Sequence, residues 1–593
     1  MMNNNKWTHL TEFGKKMLKS KYVLPNESFE ELGERVIKAN VKDKDRQERL
    51  KNALFNGWFV PATPVLSNSG TERGLPISCF NTKTPDSKEG IFGGYSEDMW
   101  LGSAGGGIGR DWSDVREVGS MICNVGESGG IVPFLKISDS ITNGISQGAL
   151  RRASEATYLE IDHPEIEEFI DIRRNTGASI HRRCIHIHHG VIITDKFMNA
   201  VINDESWDLI SRKDGSVVKT LKAYDLFTTI LEARIEKGEP YLFFKDTANR
   251  YAPELYKLEN MTIYSSNLCS ELMQATDYDY TAVCCLSSVN LETYDEWKDN
   301  YQFIEDLFYF LDGVLRQFEG KVKAFPEVVQ EHYQKALKSV SFENSVGLGV
   351  MGWHGLLQKR SIPFESSLAS GLGENIFSWL REAADMTSYN IAKDLGPCQL
   401  AKKHGKMERF TLKLMIAPTG SISIIGGDAT AGIDPRLSNG YVHNNDVGKT
   451  TIKNPYLQEI MDKYARDNGL DGRWIVGQWK SIIANDGSVQ HLDWLNDWQK
   501  DVFKTAYELD QRWIIEHVSI RQKYIDQGQS VNLFIPHDVS KSDLLGIHLY
   551  AWKRELKALY YCRSTAPQRA RVGHAIEREV IEESKYEECL SCT

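Results

Sequence analysis

The chain has 593 residues, 41% of them hydrophobic and 25% charged, with a formal net charge of −11. These values describe a folded globular protein large enough for several domains or one large barrel with appendages. The acidic balance argues against a general nucleic-acid or anionic-membrane binder and leaves room only for local basic pockets. No run of about eighteen apolar residues and no charged-then-apolar leader occurs, so the expectation is a cytoplasmic protein without a membrane segment. Ten cysteines are too sparse for a disulfide scaffold, which a reducing compartment would oppose in any case.

The first sixty or so residues read as helices, because "FEELGERVIKANVKDKDRQERLKNALFNGWFV" mixes apolar and charged positions at helical spacing. From "FVPATPVLSNSG" onward, short apolar stretches alternate with helical patterns and glycine-rich turns, as in "HHGVIITDKFMNAVI", "SVGLGVMGWHGLL" and "QSVNLFIPHDVS". That alternation predicts an α/β architecture with a largely parallel sheet and sites at the carboxyl ends of its strands. "SAGGGIGRDWSDVR" reads as a plain tight turn. "HRRCIHIHHG" invites a metal assignment through His181, Cys184, His186, His188 and His189. His189 would face away from His186 and His188, and the run enters the core-like "VIIT". These are expected to be solvated or hydrogen-bonded histidines, with no metal. Cys123, Cys184 and Cys398 read as buried small hydrophobes.

The stretch "YSSNLCSELMQATDYDYTAVCCLSSVNL", from Tyr264 to Leu291, carries more chemistry. If residues 265–271 run extended, Asn267, Cys269 and Glu271 share one face, with a thiol between an amide and a proton-accepting carboxylate. A polar loop with a chance cysteine fits the same triplet. Of the adjacent Cys284 and Cys285, only one can look into a shared site. "APTGSISIIGG" places backbone amides and the hydroxyls of Thr419, Ser421 and Ser423 where a phosphate could be cradled, without the lysine or spacing of a Walker loop. A helix is expected from Ser542 to Lys557, with Leu545, Leu549, Trp552 and Leu556 at helical spacing, followed by Tyr560 and Tyr561. The charged end of the sequence carries Cys589 and Cys592 as a C-x-x-C without a second pair to complete a zinc site, which points to thiol exchange.

In this order "PATPVLSNSGTERGLPISCF", "SNLCSE", "AVCCLSSVNL", "SVGLGVMGWHGLL", "APTGSIS", "RQKYIDQGQSVNLF", "LYYCRST" and the C-x-x-C tail resemble the catalytic (large, alpha) subunit of class I ribonucleotide reductase. The resemblance implies a ten-stranded α/β barrel over residues 61–570, preceded by a helical region at 1–60 and followed by a flexible redox-active tail at 571–593. It implies that Cys269 becomes the thiyl radical, Glu271 accepts the 3′-hydroxyl proton and Asn267 bonds the sugar hydroxyls. Cys79 would protonate the departing 2′ hydroxyl and end in a disulfide with Cys284. Cys589 and Cys592 would shuttle electrons from thioredoxin or glutaredoxin. Thr63 and Ser78, with the loop of Pro418, Thr419, Gly420, Ser421, Ile422 and Ser423, would contact substrate phosphates. Gly420 stands where some members carry an acidic residue, so that contact does not carry over.

Tyr560 and Tyr561 would relay the radical from a separate metal-containing beta subunit, so that this chain binds no cofactor of its own. Asp86 and Arg116 resemble the site for dNTP and ATP effectors at a homodimer interface, and Gln147 and Arg151 the loop linking effector to substrate choice. The expected activity is reduction of nucleoside diphosphates to deoxyribonucleotides for DNA replication. The helices leading into the barrel start almost at Met1, so the N-terminal ATP cone of many large subunits is expected to be missing. An adenosylcobalamin-dependent class II reductase is the alternative, and the tyrosine pair discriminates, because a cobalamin enzyme needs no relay from a second subunit.

Overall fold

A computed structural model describes residues 7–122, 126–146, 153–174, 180–445 and 448–565. The expected N-terminal helices are Glu12–Lys21, Phe29–Asn40 and Lys44–Phe55. Local chemistry sets their starts. Ser28 and Glu31 form a reciprocal capping box and Asp43 accepts from the Arg46 amide, so exposed amide hydrogens at the helix starts are satisfied by side chains. The 23-residue helix Tyr301–Lys323 runs through the core, burying Phe303, Leu307, Phe310, Leu311, Val314 and Phe318. It packs against Phe29–Asn40 and against the long helix Ser367–Leu395.

Ten strands in two sheets form the wall of the site. A seven-stranded sheet runs in the order Ala282–Cys284, Cys79–Lys83, Gly107–Asp111, Ser154–Glu160, His188–Ile193, Tyr241–Phe244, Ala558–Leu559. Its five central strands are parallel and its two outer strands antiparallel. A three-stranded sheet joins Phe59–Pro61, Leu286–Asn290 and Gly347–Met351. Cys285 is the hinge between the sheets, since the strand ending at Cys284 belongs to one and the strand beginning at Leu286 to the other. On the far side the circuit closes through single bridges, Leu348 to Leu414 and Ile416 to Gln529, and a hydrogen bond from the Tyr560 amide to the Val531 carbonyl (2.9 Å). The expected α/β barrel is therefore present as a curled wall without a free edge at these joints.

Inside that wall lies the segment expected to be extended. It is not a strand. Residues 267–270 form a turn closed by the Ser270 amide on the Asn267 carbonyl (3.3 Å), with Ser270 at φ +65°. Asn267 Oδ1 then accepts from the amides of Glu271 and Leu272, both at 3.2 Å, so the side chain competes with the strand ladder and wins. "SAGGGIGRDWSDVR" is also more than a turn, because it supplies the Gly107–Asp111 strand. Its glycines let the 267–270 turn lie flat on that strand. The expected helix at Ser542–Lys557 ends earlier, at Lys553, and buries Leu544, Ile547, His548 and Ala551, leaving Leu545, Leu549 and Trp552 only half-buried.

A Cβ on Gly109 would meet the Ser266 carbonyl oxygen at 2.0 Å. Gly109→Ala is expected to cost about 1–3 kcal/mol by overpacking, read as a lower melting temperature; an unchanged melting temperature would show that the turn can move away freely.

Candidate functional site

Cys79 and Cys284 are directly opposite each other on adjacent antiparallel strands, in register. Opposed residues in such a pair have Cα atoms about 4.5–5.5 Å apart, inside the range that a disulfide spans. Cys284 lies within 3.9 Å of the Gln527 side-chain amide nitrogen, and burial, followed by the neighbouring sulfurs Cys285 and Cys79, pushes its thiol well up. Cys285 takes the opposite face, with its Sγ at 3.5 Å from the Leu311 carbonyl of the core helix. The pleat thus separates the two neighbours, and Cys284 alone faces Cys79.

Glu271 sits beside this pair. Its Oε1 accepts from Cys79 Sγ at 3.8 Å and its Oε2 from the Ser530 hydroxyl at 3.1 Å. The same hydroxyl is 2.7 Å from the Cys269 carbonyl, and the Gly528 amide donates to the Glu271 carbonyl at 2.8 Å. Tyr158 donates to the Asn267 carbonyl at 2.7 Å. Asn267 and Glu271 meet through this turn rather than through strand alternation. Burial pushes Glu271 up to about 7, against the hydrogen bonds from Asn267, Ser530 and Cys79 that favour its charged form. A carboxyl titrating there is poised to take a proton near neutral pH.

A small cleft opens onto the group, lined by Thr63, Ser78, Cys79, Glu271, Ser288, Pro418, Thr419 and Ile422 among others. Asn267, Cys269 and Cys284 are not on its wall; all three are buried behind it. Among the described residues Ser78 Oγ is buried without a hydrogen-bond partner, the state of a group that awaits a ligand or water. The 417–427 stretch forms a short helix, Gly420–Ile425, with Thr419 at φ +57° before it. Its hydroxyls are partly committed, since Thr419 Oγ1 accepts from the Gly432 amide (2.6 Å) and Ser423 donates to the Gly420 carbonyl (3.1 Å). Of this loop Pro418, Thr419 and Ile422 face the cleft, whereas Gly420, Ser421 and Ser423 do not.

Tyr560 and Tyr561 are in contact, with ring centroids 4.2 Å apart. Tyr560 is buried in one apolar cluster with Cys269, and Tyr561 is half-buried at its edge. Asp86 and Arg116 lie away from the cleft and pair with each other (2.8 Å). Gln147, Arg151, Cys123, Cys589 and Cys592 lie outside the described residues. The histidine run holds no metal cluster among the described residues, and His188 and His189 both bond Glu239. Cys184 and Cys398 are buried, as expected.

Several residues that shape the site had no isolated signal. Ser530, Gly528 and Gln527 come from "IDQGQS". Lys557, buried and without an ion-pair partner among the described residues, donates to the carbonyls of Asp526 (2.8 Å) and Gln527 (2.7 Å) and is pushed down to about 7 by burial. A lysine flanked by apolar residues in "LKALYY" was the available hint.

Opposed buried thiols, a carboxyl tuned by burial and a cleft at the mouth of a curled α/β wall define a thiol-dependent barrel enzyme. A family model for the ribonucleotide reductase barrel domain matches residues 77–408 and 399–562, and one for the ribonucleotide reductase all-alpha domain matches residues 8–74. The chain belongs to the ribonucleotide reductase large-subunit family, and its activity is that of the catalytic subunit of a ribonucleoside-diphosphate reductase. It is 40% identical over 547 residues, 92% of each chain, to a Frog virus 3 (isolate Goorha) protein named for that large subunit. It is 32% identical over 576 residues to the ribonucleoside-diphosphate reductase large subunit of Invertebrate iridescent virus 3, covering 88% of each chain. Among solved structures it resembles the Actinobacillus ureae class Id ribonucleotide reductase alpha subunit, at TM-score 0.81 and 32% identity, over 95% of this chain and 99% of that one. Among the described residues no helix is long and apolar enough to cross a membrane.

If Glu271 is the base, kcat/KM should rise with pH through an acid limb near 7, because only the ionised carboxylate accepts a proton. Glu271→Gln should lose that limb and fall by on the order of 10²–10⁴-fold; a limb that persists in the variant would assign it to another group.

Proposed function

We propose that Cys269 carries the thiyl radical that removes the 3′ hydrogen of the substrate ribose, breaking the C–H bond and forming S–H. Glu271 takes the 3′-hydroxyl proton and Asn267 holds the sugar hydroxyls. Cys79 protonates the departing 2′ hydroxyl, which leaves as water. Cys79 and Cys284 supply the two electrons and end as a disulfide, and return of the hydrogen to the 3′ carbon restores the radical. The observation that carries this reading is the register of Cys79 against Cys284 with Glu271 bonded to Cys79. Thr63, Ser78 and the cleft-facing residues of the 418–423 loop, Pro418, Thr419 and Ile422, receive the phosphates, with Thr63 bonded to Tyr22 (3.1 Å) at the cleft wall.

The class I reading is favoured by the tyrosine pair, whose inner ring shares the apolar cluster of Cys269 while its outer ring reaches the surface. A beta subunit docked there would supply the radical, with no cofactor held in this chain. A second copy of the chain fits the helices Lys88–Ser103 and Val132–Ile145, which expose Phe92, Met99, Trp100 and Ile137. Asp86 and Arg116, next to the first of these helices, are the effector contacts we assign for dNTP or ATP, with Gln147 and Arg151 completing the link to substrate choice. Thioredoxin or glutaredoxin would reduce Cys589 and Cys592, and the enzyme would work in the cytoplasm.

The test is diphosphate reduction with a radical-generating beta subunit in one arm and adenosylcobalamin in the other. Activity is expected only with the beta subunit, and Cys269→Ser is expected to abolish it while substrate and effector still bind. Multiple turnovers in that variant would remove the radical assignment. Cys589→Ser with Cys592→Ser should block turnover driven by thioredoxin but spare turnover driven by dithiothreitol, which diffuses to the inner disulfide itself. Thioredoxin-driven turnover in the double variant would show that the tail is not the shuttle.

A further inference from the structure

The histidine run adjoins the tyrosine pair. His188 begins the His188–Ile193 strand, and the Tyr241–Phe244 strand beside it carries Tyr241 against Tyr560 (ring centroids 4.7 Å) and Tyr561 (5.1 Å, perpendicular). The His188 ring stacks parallel to Tyr241 at 6.1 Å and meets Tyr561 edge-on at 6.1 Å. Its Nδ1 lies 2.6 Å from Glu239 Oε1 and 3.3 Å from the Tyr561 hydroxyl.

Glu239 is fixed on every side. Its Oε2 accepts from the His189 amide (3.1 Å) and His189 Nδ1 (3.2 Å), with Arg173 Nε at 3.5 Å. Burial opposes its charge, but Arg173 and the two histidines outweigh that and hold it well below the ordinary carboxylate range. An ionised oxygen at 2.6 Å requires a hydrogen on His188 Nδ1, so the carboxylate fixes the tautomer of the ring. That hydrogen faces two acceptors, Glu239 and the phenol oxygen of Tyr561. Tyr561 therefore accepts from His188.

We propose that His188, oriented by Glu239, is a positioning residue for radical transfer, holding the Tyr561 oxygen in place by a shared Nδ1 hydrogen bond. The proposal rests on the relay reading above. In the step concerned, a radical in the partner subunit takes the hydroxyl hydrogen of Tyr561, its electron and proton together, and the tyrosyl oxygen left on Tyr561 takes the hydrogen of Tyr560. The O–H bond of Tyr560 breaks as that of Tyr561 forms, one electron and one proton move together, and the His188 hydrogen stays on nitrogen. Such a transfer depends steeply on the separation of the two oxygens, so a half-buried ring needs a directional hold. Tyr241 is the wall of this box, since burial pushes its phenol well above 10 and opposes loss of its proton.

The experiment compares His188→Phe, which keeps the ring and removes the donor, with His188→Asn, which keeps an N–H near Nδ1. Each is assayed with the beta subunit and substrate beside Tyr561→Phe. His188→Phe is expected to lower kcat by on the order of 10- to 100-fold, with KM, effector affinity and melting temperature unchanged, and His188→Asn to restore most of it. If His188→Phe does not fold, His188→Leu takes its place. Wild-type kcat in the donor-free variant beside an inactive Tyr561→Phe would overturn the proposal alone. An active Tyr561→Phe would overturn the relay reading, and the proposal with it. A loss shared by kcat, effector affinity and melting temperature, without rescue by Asn, would assign His188 a purely structural role.

Discussion

A polar turn inside a closed wall is the constraint on which the remainder of this structure depends. Backbone amides and carbonyls buried away from water must find partners, and in a turn the strand ladder does not supply them. Here Asn267 takes two amides, Tyr158 and the Ser270 amide satisfy the Asn267 carbonyl, and Ser530 and Gly528 take the carbonyls of Cys269 and Glu271. Room for the turn comes from the absence of side chains at Gly107 and Gly109 on the strand below. The burial that makes these bonds obligatory is the same burial that moves Glu271 toward neutrality.

The segment Ile525–Ser530 joins the two halves of the chemistry. Its Gln527 reaches Cys284, its Ser530 reaches Glu271 and the Cys269 carbonyl, and its backbone is gripped by Lys557. Lys557 stands three residues before Tyr560 in the sequence. Cys284 and the strand leading into Tyr560 and Tyr561 are thus braced by one short loop. A shift of that loop would be felt at both, which is how packed interiors transmit strain.

Much of this was legible in the sequence, and the failures are physical. Helices with capping residues and apolar periodicity, such as Phe29–Asn40, appear where patterning puts them. The chemical residues could be named because their motifs occur in the order that resembles the family, whereas each motif alone left a bland reading open. The conformation of 265–271 was misread because alternation of polar residues looks the same in a strand as in a turn capped by its own asparagine. Between Cys284 and Cys285 the residues alone left the choice open and the resemblance picked Cys284; the register, which depends on partners two hundred residues away, sets that residue opposite Cys79. The roles of Gly109, Ser530 and Lys557 are invisible locally for the same reason, since each acts only through a distant segment. At Lys541–Lys553 the spacing found the helix but not its end, and its half-buried leucines lie one position from the fully buried face.

The register of Cys79 and Cys284 also bears on how the protein survives between turnovers. A bond between them would close a loop of roughly 200 residues in the unfolded chain, which the chain-entropy treatment values at about 5 kcal/mol. The folded ladder already holds these two positions opposite one another, so the bond needs little rearrangement of the native backbone. Oxidation would therefore act almost wholly on the disordered ensemble. An enzyme left without reductant would rest in its hardier form, and each arrival of electrons would restore both its competence and its fragility.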